Sequence, residues 1–408
     1  MKTTHRIPPH QKSCFRPARH CAWAIGLAQA WTTLDLAWHN RLHLDPNDLA
    51  ILTTIPKGCG LILAANHCDE TDPKVLFELS RRSRRRFSYM MNAEAFEEWH
   101  GLAGWLLQWL GVFSVERSDS DQTALRYAIG IVKSGDNALV MFPEGEISYL
   151  NDLVRPFKTG TVHIGLQAVT ESRETSPSWT TYLLPVAIKY RYRGPIGPML
   201  NKKIRAIEKH LFIRASLLTF QEKIIRIMAK IIQRKEMISR IRLVSEQFSR
   251  LKEEIQETQA SILARVETEY PQVQTDPRSR FTDRAQKMIS FLRKQLEEKK
   301  LFSPETRTQL QKDIKDLKGI IQMSVWQPQY IAADPSEERL AETVIKLERK
   351  VFKLQRPRPL GRRDVFVRIA PPLDLGHYAG PYHKAPSAIS RQVTDELRHK
   401  IQSMIEKI

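Results

Sequence analysis

The most informative segment of the chain is LILAANHCDETD, residues 61–72. An apolar run with the length of a buried strand stops at Asn66, and His67 and Asp72 follow, five positions apart. A carboxylate can hold an imidazole in one tautomer and stabilise its protonated form, while the other ring nitrogen takes a proton from a hydroxyl. This stretch therefore predicts a general-base pair, His67 and Asp72, at the end of a buried strand.

The same spacing occurs a second time, between His43 and Asp48 in HLDPND. Spacing alone is weak, because a chain with 12 His residues should contain about half a chance match of this kind. The second copy follows the polar run WHNRL and contains a proline, a combination that favours the end of a helix over the end of a strand. Context, and not spacing, selects His67.

Strand and helix patterns alternate on both sides of this stretch. The predicted strands lie near 60–65, 87–91, 111–115, 138–142 and 181–189, and the predicted helices near 73–82, 94–109, 121–134 and 158–170. Alternation of this kind predicts an α/β fold, with a mixed, largely parallel sheet flanked by helices. Pro185 interrupts the last of these strands and predicts a sheet edge or a bulge there.

Four short motifs keep a fixed order: NHCDETD at 66–72, GVFSVER at 111–117, FPEGE at 142–146 and LLPVAI at 183–188. Their order and spacing resemble the four blocks of the glycerolipid acyltransferase family, whose HxxxxD enzymes acylate glycerol-3-phosphate and lysophosphatidate. The resemblance covers roughly residues 58 to 190. It implies an acyltransferase-like fold in which His67 and Asp72 are the catalytic pair.

The resemblance also implies where the substrate binds. Arg117, at the end of a predicted strand, matches the family arginine that contacts the acceptor phosphate, and a guanidinium suits a phosphate through paired hydrogen bonds. Glu144 is the expected site carboxylate, and Gly145 allows close backbone approach beside it. Asn66, next to the catalytic histidine, completes this part of the predicted substrate site.

One departure from the family pattern leaves the acceptor open. Glu146 and Ile147 follow Gly145, where the family commonly has a threonine followed by arginine or serine. Arg155 and Lys158 are therefore expected to supply the positive charge at the substrate site.

Composition limits the partners. The chain has 408 residues and a net charge of +19, which indicates an anionic partner. No nucleic-acid-binding signature is evident, so a membrane surface or an acyl carrier protein is favoured over nucleic acid. No metal or redox cofactor is implied, and acyl-CoA or an acyl carrier protein would serve as co-substrate. No apolar run reaches the roughly 18–20 residues of a membrane span, which predicts a cytoplasmic protein, peripheral on the inner face of the membrane.

Two further segments have alternative interpretations. Residues 21–38 form an amphipathic helical pattern with three tryptophans near one face, which predicts either a helix packed on the domain or an interfacial membrane anchor. The run RRSRRR at 81–86 ends a predicted helix and suits either a solvated face or contact with an anionic membrane.

The pattern changes after residue 200 to amphipathic helix rich in Lys, Arg, Glu and Gln. DVFVRIAPPLDL at 364–375 then reads as a strand and resembles the last strand of the family. The predicted organisation is a disordered basic tail (1–20), an acyltransferase core (21–200), an inserted hairpin or bundle of about four helices (201–360), and a return strand with a C-terminal helix (361–408). The inserted region either docks a membrane or an acidic acyl carrier, or only stabilises the fold.

The functional expectation is acyl transfer from a thioester to a hydroxyl of lysophosphatidate. Glycerol-3-phosphate and another lysolipid remain as alternative acceptors. A different class also remains open, in which the chain is a non-catalytic membrane-surface or helical interaction protein.

Overall fold

An eight-stranded sheet forms the centre of the structure, a computed structural model that describes residues 15–97, 101–116, 121–214, 217–232, 244–277, 279–298, 303–354 and 356–408. The strands are β1 (Asn40–Leu44), β2 (Gly60–Ala65), β3 (Phe87–Asn92), β4 (Val112–Val115), β5 (Ala138–Met141), β6 (Thr181–Tyr192), β7 (Arg363–Ile369) and β8 (Leu373–Asp374).

The sheet order is β1-β7-β6-β2-β5-β3-β4, with β8 paired to β6. All neighbours along it are parallel except β6 and β7, and β8 also runs antiparallel to β6. Helices cover both faces, so both faces of β2 are buried and its sequence is continuously apolar. The predicted fold class, a mixed and largely parallel sheet flanked by helices, is confirmed.

The helices around the sheet are α1 (Ala22–His39), α2 (Pro46–Thr54), α3 (Asp72–Ser83), α4 (Ala93–Phe96), α5 (Leu102–Trp109), α6 (Gln122–Ser134) and α7 (Gly160–Arg173). Between β6 and β7 lie α8 (Gly197–His210), α9 (Phe220–Ile231), α10 (Val244–Glu269), α11 (Phe281–Glu298), α12 (Pro304–Met323), α13 (Pro328–Ala333) and α14 (Glu337–Phe352). The chain then continues through a 3₁₀ turn (Leu375–Tyr378), α15 (Ala379–Lys384) and α16 (Pro386–Lys407).

The described segments between β6 and β7 contain no strand, and their helices are more numerous than the four that were predicted. Two apolar cores hold them together. One joins α8, α9, the start of α10 and α14 around residues such as Ile204, Ile225 and Val344, and also packs on Tyr149. The other joins the end of α10 with α11 and α12.

The expectation that Pro185 marks a sheet edge is wrong, because β6 lies in the middle of the sheet between β7 and β2. Pro185 pairs with Ala64 on one side. On the other side β7 has ended at Ile369, opposite Val186, and β8 begins only opposite Leu183. The proline thus occupies a gap between two partner strands, where its missing N–H leaves the ladder intact.

His43 and Asp48 do not mark a helix end, contrary to the prediction. His43 lies on β1, which pairs in parallel with β7, and its Nε2 is 3.0 Å from Asp364. Asp48 lies in the first turn of α2 and binds Arg368 at 2.7 Å. The two residues contact different positions of β7, a strand more than 300 positions away in the chain.

Residues 15–20 are not a disordered tail, contrary to the prediction for 1–20; residues 1–14 lie outside the described part. The backbone N–H of Arg16 donates to the Ser114 hydroxyl, the Ser114 N–H donates to the carbonyl of Arg16, and the Arg19 N–H donates to the carbonyl of Gln108. Phe15 packs against Phe113 in the core. These contacts fix the start of α1 against the sheet.

Candidate active site

His67 and Asp72, the predicted general-base pair, meet at the end of β2. β2 ends at Ala65 and α3 begins at Asp72, so the loop between them folds back and brings His67 Nδ1 to 2.9 Å from Asp72 Oδ2. The His67 ring also stacks on Phe142, with ring centroids 4.1 Å apart and planes 19° apart. These contacts fix the imidazole and leave its Nε2 edge for a ligand.

Asp72 is fully buried, and its carboxylate accepts several hydrogen bonds. Besides the His67 ring, the backbone N–H of Asp69 donates to Oδ2 at 2.9 Å, and the Tyr190 hydroxyl donates to Oδ1 at 2.7 Å. Burial raises the pKa of Asp72 above its ordinary value, and the hydrogen bond from His67 opposes that shift. Asp72 is therefore an oriented acceptor rather than a solvated surface charge.

An ion pair between Arg363 and Asp69 lies next to the Asp72 carboxylate. Arg363, the first residue of β7, binds both oxygens of Asp69 at 2.7 and 3.0 Å. Its guanidinium carbon also lies 4.3 Å from the centroid of the Tyr190 ring. Burial of Arg363 opposes its charge, and the neighbouring Asp69 more than offsets this, so the pKa of Arg363 is raised. The strand that follows the helical region thus helps to position the pair at the end of β2.

Glu144 holds the backbone of the histidine. Its Oε1 accepts the N–H of His67 at 2.8 Å, and its Oε2 is buried without a hydrogen-bond partner among the described residues. Burial raises the pKa of Glu144 from 4.5 to about 8. The side chain therefore lies at the predicted site but contacts the loop that carries His67 rather than open solvent.

Asn66 does not face the site, although the sequence predicts it as a substrate-binding residue. Its amide donates to the carbonyl of Ile188 at 2.9 Å, and its carbonyl accepts the N–H of Ile188 at 2.8 Å. Both polar atoms of this buried side chain are therefore used to continue the pairing of β2 with β6.

The basic residues of the predicted substrate site lie at the cleft but are paired. Arg155 binds Glu146 at 2.7 Å, and Lys158 binds Asp283 at 2.7 Å. Gly145 has a φ of +79°, a backbone conformation that glycine adopts most easily. A Cβ there would also come within 3.0 Å of the Lys158 side chain, so both the backbone and the space favour glycine.

Arg117 lies outside the described residues. Its neighbour Glu116, which follows the end of β4, lines the cleft described below. The role that the resemblance implies for Arg117 therefore stays a prediction.

A cleft of about 1760 Å³ opens in front of His67. One wall, the sheet wall, comes from the ends of the strands and the helices that follow them; its polar members include Glu144 and Thr161, and its apolar members include Phe77, Met90 and Val112. The opposite wall, the helical wall, comes from α10, α11 and the end of α12, including Gln256, Gln259, Asp283, Gln286 and Met323. The cleft thus lies between the sheet and the helices that follow β6.

Cys68 is no nucleophile here. Its thiol is buried next to Asp72, and burial together with that carboxylate raises the cysteine pKa well above its ordinary value. Within the described residues, no cluster of three or more His, Cys, Asp or Glu side chains has the arrangement of a metal site.

Part of the chain is similar to known proteins. Residues 49–189 match the family model described as Acyltransferase. The matched segment is about a third of the chain and contains the pair of His67 and Asp72. A segment of 84 residues is 30% identical to a 1-acyl-sn-glycerol-3-phosphate acyltransferase of Streptococcus pneumoniae, and covers 21% of this chain and 30% of that relative. No solved structure matches the chain significantly.

The sequence analysis missed Asp69, Tyr190 and Arg363 as residues that position the pair of His67 and Asp72. One signal for Tyr190 was available: Leu184, Val186, Ile188 and Tyr190 alternate along β6 and share the face that packs on α3. The alternation places the Tyr190 hydroxyl on the side where α3 begins. No local signal pairs Asp69 with Arg363, which is 294 positions away.

Proposed function

We propose that the chain is an O-acyltransferase that moves a fatty acyl group from an acyl thioester to a hydroxyl of lysophosphatidate in phospholipid synthesis. The observation that carries this proposal is the pair of His67 and Asp72, hydrogen-bonded at 2.9 Å on a cleft within a domain of the acyltransferase family.

In the proposed reaction, Nε2 of His67 takes the proton of the acceptor hydroxyl while the hydroxyl oxygen attacks the thioester carbonyl. Asp72 holds the proton on Nδ1 and stabilises the imidazolium that forms. Collapse of the tetrahedral intermediate expels the thiolate, to which the imidazolium returns the proton. Acyl-CoA or an acyl carrier protein supplies the thioester, and the protein acts peripherally on the inner face of the membrane.

The cleft supports a lipid acceptor over a small one. Its apolar members include Met91, Leu106 and Leu110, which suit an acyl chain. Gly160 and Thr161, where α7 begins, also line it, and a helix N-terminus favours an anionic phosphate nearby. Glycerol-3-phosphate uses only the polar part of such a cleft, so it is the second candidate, followed by other lysolipids.

Product mass analysis over a matrix of acceptors and the two donor types tests the proposal. His67→Ala and Asp72→Ala should each lower the rate of acyl transfer by about 10²–10⁴-fold, the range for loss of general-base catalysis. His43→Ala is the matched control, since His43 also binds an aspartate at 3.0 Å but lies outside the cleft. Transfer that persists at a tenth of the wild-type rate or more in both site variants would contradict the proposed chemistry.

A further inference from the structure

An exposed apolar stripe runs along α1. Trp23, Leu27, Trp31, Leu34 and Trp38 are 60–71% exposed, and their spacing of three or four positions places them on one side of the helix. The helix packs on the domain through the other side, with Ala24, Thr32 and Leu36 buried. The helix therefore packs on the domain, as one of the two interpretations predicts, and its tryptophan side stays exposed.

The stripe continues onto α5. The Trp23 ring meets the Trp109 ring edge-on at 5.1 Å, and beside it Leu102, Trp105 and Leu106 are 40–54% exposed. We call these eight exposed residues the apolar face: Trp23, Leu27, Trp31, Leu34, Trp38, Leu102, Trp105 and Leu106. Monomeric proteins rarely expose a contiguous apolar surface larger than roughly a few hundred Å² unless it binds something.

Exposed arginines border one half of the apolar face. α3 runs antiparallel to α1, with Gln29 bonded to Ser80 and Thr33 bonded to Glu78. The end of α3 therefore lies beside the first half of α1. The exposed arginines at this end of α3 and just after it are Arg81, Arg82, Arg84 and Arg86, which we call the basic rim.

The basic rim argues for one kind of occupant. Tryptophan and arginine side by side suit the headgroup region of an anionic bilayer, where the rings lie at the interface and the guanidinium groups reach phosphates. A second copy of the chain fits less well, because a two-fold contact would bring each basic rim against the same surface of its partner. None of the helices in the described part of the chain has the length and apolar character needed to cross a bilayer.

The apolar face also reaches the cleft. Trp31, together with Ala28 and Thr32 of α1 and Leu106 of α5, lines the same cleft as His67. A bilayer that covers the apolar face therefore also covers the mouth of this cleft.

We propose that the apolar face and the basic rim dock the protein onto an anionic phospholipid bilayer, with the mouth of the cleft at headgroup level. A lipid acceptor then passes from the bilayer to His67 without leaving the lipid phase. The docking is inferred from the exposed residues of the apolar face and the basic rim alone, whereas this route of the acceptor rests on the proposed function.

Flotation of the full chain with vesicles tests the docking. The probes are vesicles of phosphatidylcholine and vesicles of phosphatidylcholine with phosphatidylglycerol, and the anionic vesicles should bind more protein. The triple variant Trp23→Ser, Trp31→Ser and Trp38→Ser should lose binding by at least about tenfold, because less apolar area enters the interface. The matched triple change to Phe should retain most of it, and circular dichroism should show both variants folded.

Charge reversal tests the basic rim separately. Arg84→Glu with Arg86→Glu should weaken binding to anionic vesicles by about tenfold or more. Arg391→Glu with Lys407→Glu makes the same change in net charge on exposed positions of α16, which packs on the opposite face of the sheet, and should change binding by no more than about twofold.

Three results would overturn the docking surface. One is a triple Ser variant that floats like wild type. Another is equal loss in the two charge-reversal variants, which would assign the binding to net charge. The third is a dimer in light scattering that the triple Ser variant dissociates, which would make the apolar face a subunit interface.

The docking and the proposed function can fail independently. His67→Ala should float like wild type, and a wild type that floats without transferring acyl groups would refute only the reaction. For the route of the acceptor, the double variant Trp23→Ser and Trp38→Ser leaves the cleft residue Trp31 in place. It should lose activity on vesicle-embedded lysophosphatidate while keeping activity on a water-dispersed short-chain form. Equal loss on both forms would overturn that route.

Discussion

The two walls of the cleft are held in different ways. On the sheet wall, Tyr190 donates to Asp72, the Arg363 guanidinium lies over the Tyr190 ring, and Arg363 binds Asp69. Asp72, Tyr190 and Arg363 are buried, and the Asp69 side chain is only 14% exposed. The helical wall is tied to the core by partly exposed ion pairs, among them Lys158 with Asp283, whose side chains are 50% and 36% exposed. A buried pair resists separation of its partners, whereas an exposed pair is screened by water and salt.

Because of this difference, we expect the sheet wall to support the proposed reaction and the helical wall to shape substrate binding. The sheet wall positions a base to within a hydrogen bond and tolerates little change, while the helical wall can vary in sequence without disturbing that base. Changes to the sheet wall should therefore lower stability and kcat, and changes to the helical wall should act mainly on KM.

The largest expected effect is on the arginine of the sheet wall. Arg363→Met leaves Asp69 buried without its partner and should lower the free energy of unfolding by about 3–5 kcal/mol. Arg280→Met is the matched change on the helical wall, where Arg280 binds Asp283 and the carbonyl of Pro156, and it should cost less than about 1 kcal/mol. Urea denaturation of the two variants measures both values, and similar losses would remove the distinction between the walls.

Tyr190→Phe should have the next largest effect. It removes the hydroxyl that donates to Asp72 Oδ1 and should lower the free energy of unfolding by about 1–3 kcal/mol, the cost of an unsatisfied buried acceptor. A less firmly held Asp72 should also lower kcat/KM by about tenfold. Tyr182→Phe, at the opposite end of β6, is the control, and kinetics indistinguishable between the two variants would argue against a positioning role for Tyr190.

Glu144 should make stability depend on pH. Between pH 4.5, its ordinary pKa, and about 8, this carboxyl is protonated in the folded chain and ionised in the unfolded chain. The folded state then binds more protons, so stability falls as pH rises through this window, by on the order of 1 kcal/mol per pH unit. Below the window both states are protonated, and above it both are ionised.

Glu144→Gln carries no titrating proton and should remove this part of the slope when the free energy of unfolding is measured across the window. Glu146→Gln, two positions along the same turn, should keep the wild-type slope. A slope that survives in Glu144→Gln would show that another group produces it.

The smallest effect is expected at the contact between the walls. A double-mutant cycle on Lys158→Met and Asp283→Asn should give a coupling energy below about 1 kcal/mol that shrinks further at high salt. The single variants should raise KM for the acceptor and leave kcat within about twofold. A coupling above about 3 kcal/mol would mean that the helical wall is held as firmly as the sheet wall.

Local sequence patterns were sufficient for the elements of the core. Period-two and apolar runs located the strands from β2 to β6, and the context of His67 separated it from His43. They failed where the partner is distant in the chain: β1 was missed because its partner β7 begins at residue 363, and Pro185 was misplaced because the order of strands depends on such pairing.

The same limit applies to the site. A motif predicts which residue types stand near His67, but it does not predict which way each side chain points. Asn66 turns into the sheet, and Glu144 binds the backbone of His67. The helices after β6 showed their periodicity in the sequence, yet only the folded chain reveals that they form a wall of the cleft.

The bond between Asp69 and Arg363 has a consequence for how the protein is made. The two residues are 294 positions apart, so a ribosome that adds about 5–20 residues per second needs roughly 15–60 s between them. During that interval the nascent chain already contains the whole HxxxxD motif without the strand that braces it. The proposed active site is therefore complete only late in translation, after the intervening helices have emerged and β7 has joined the sheet.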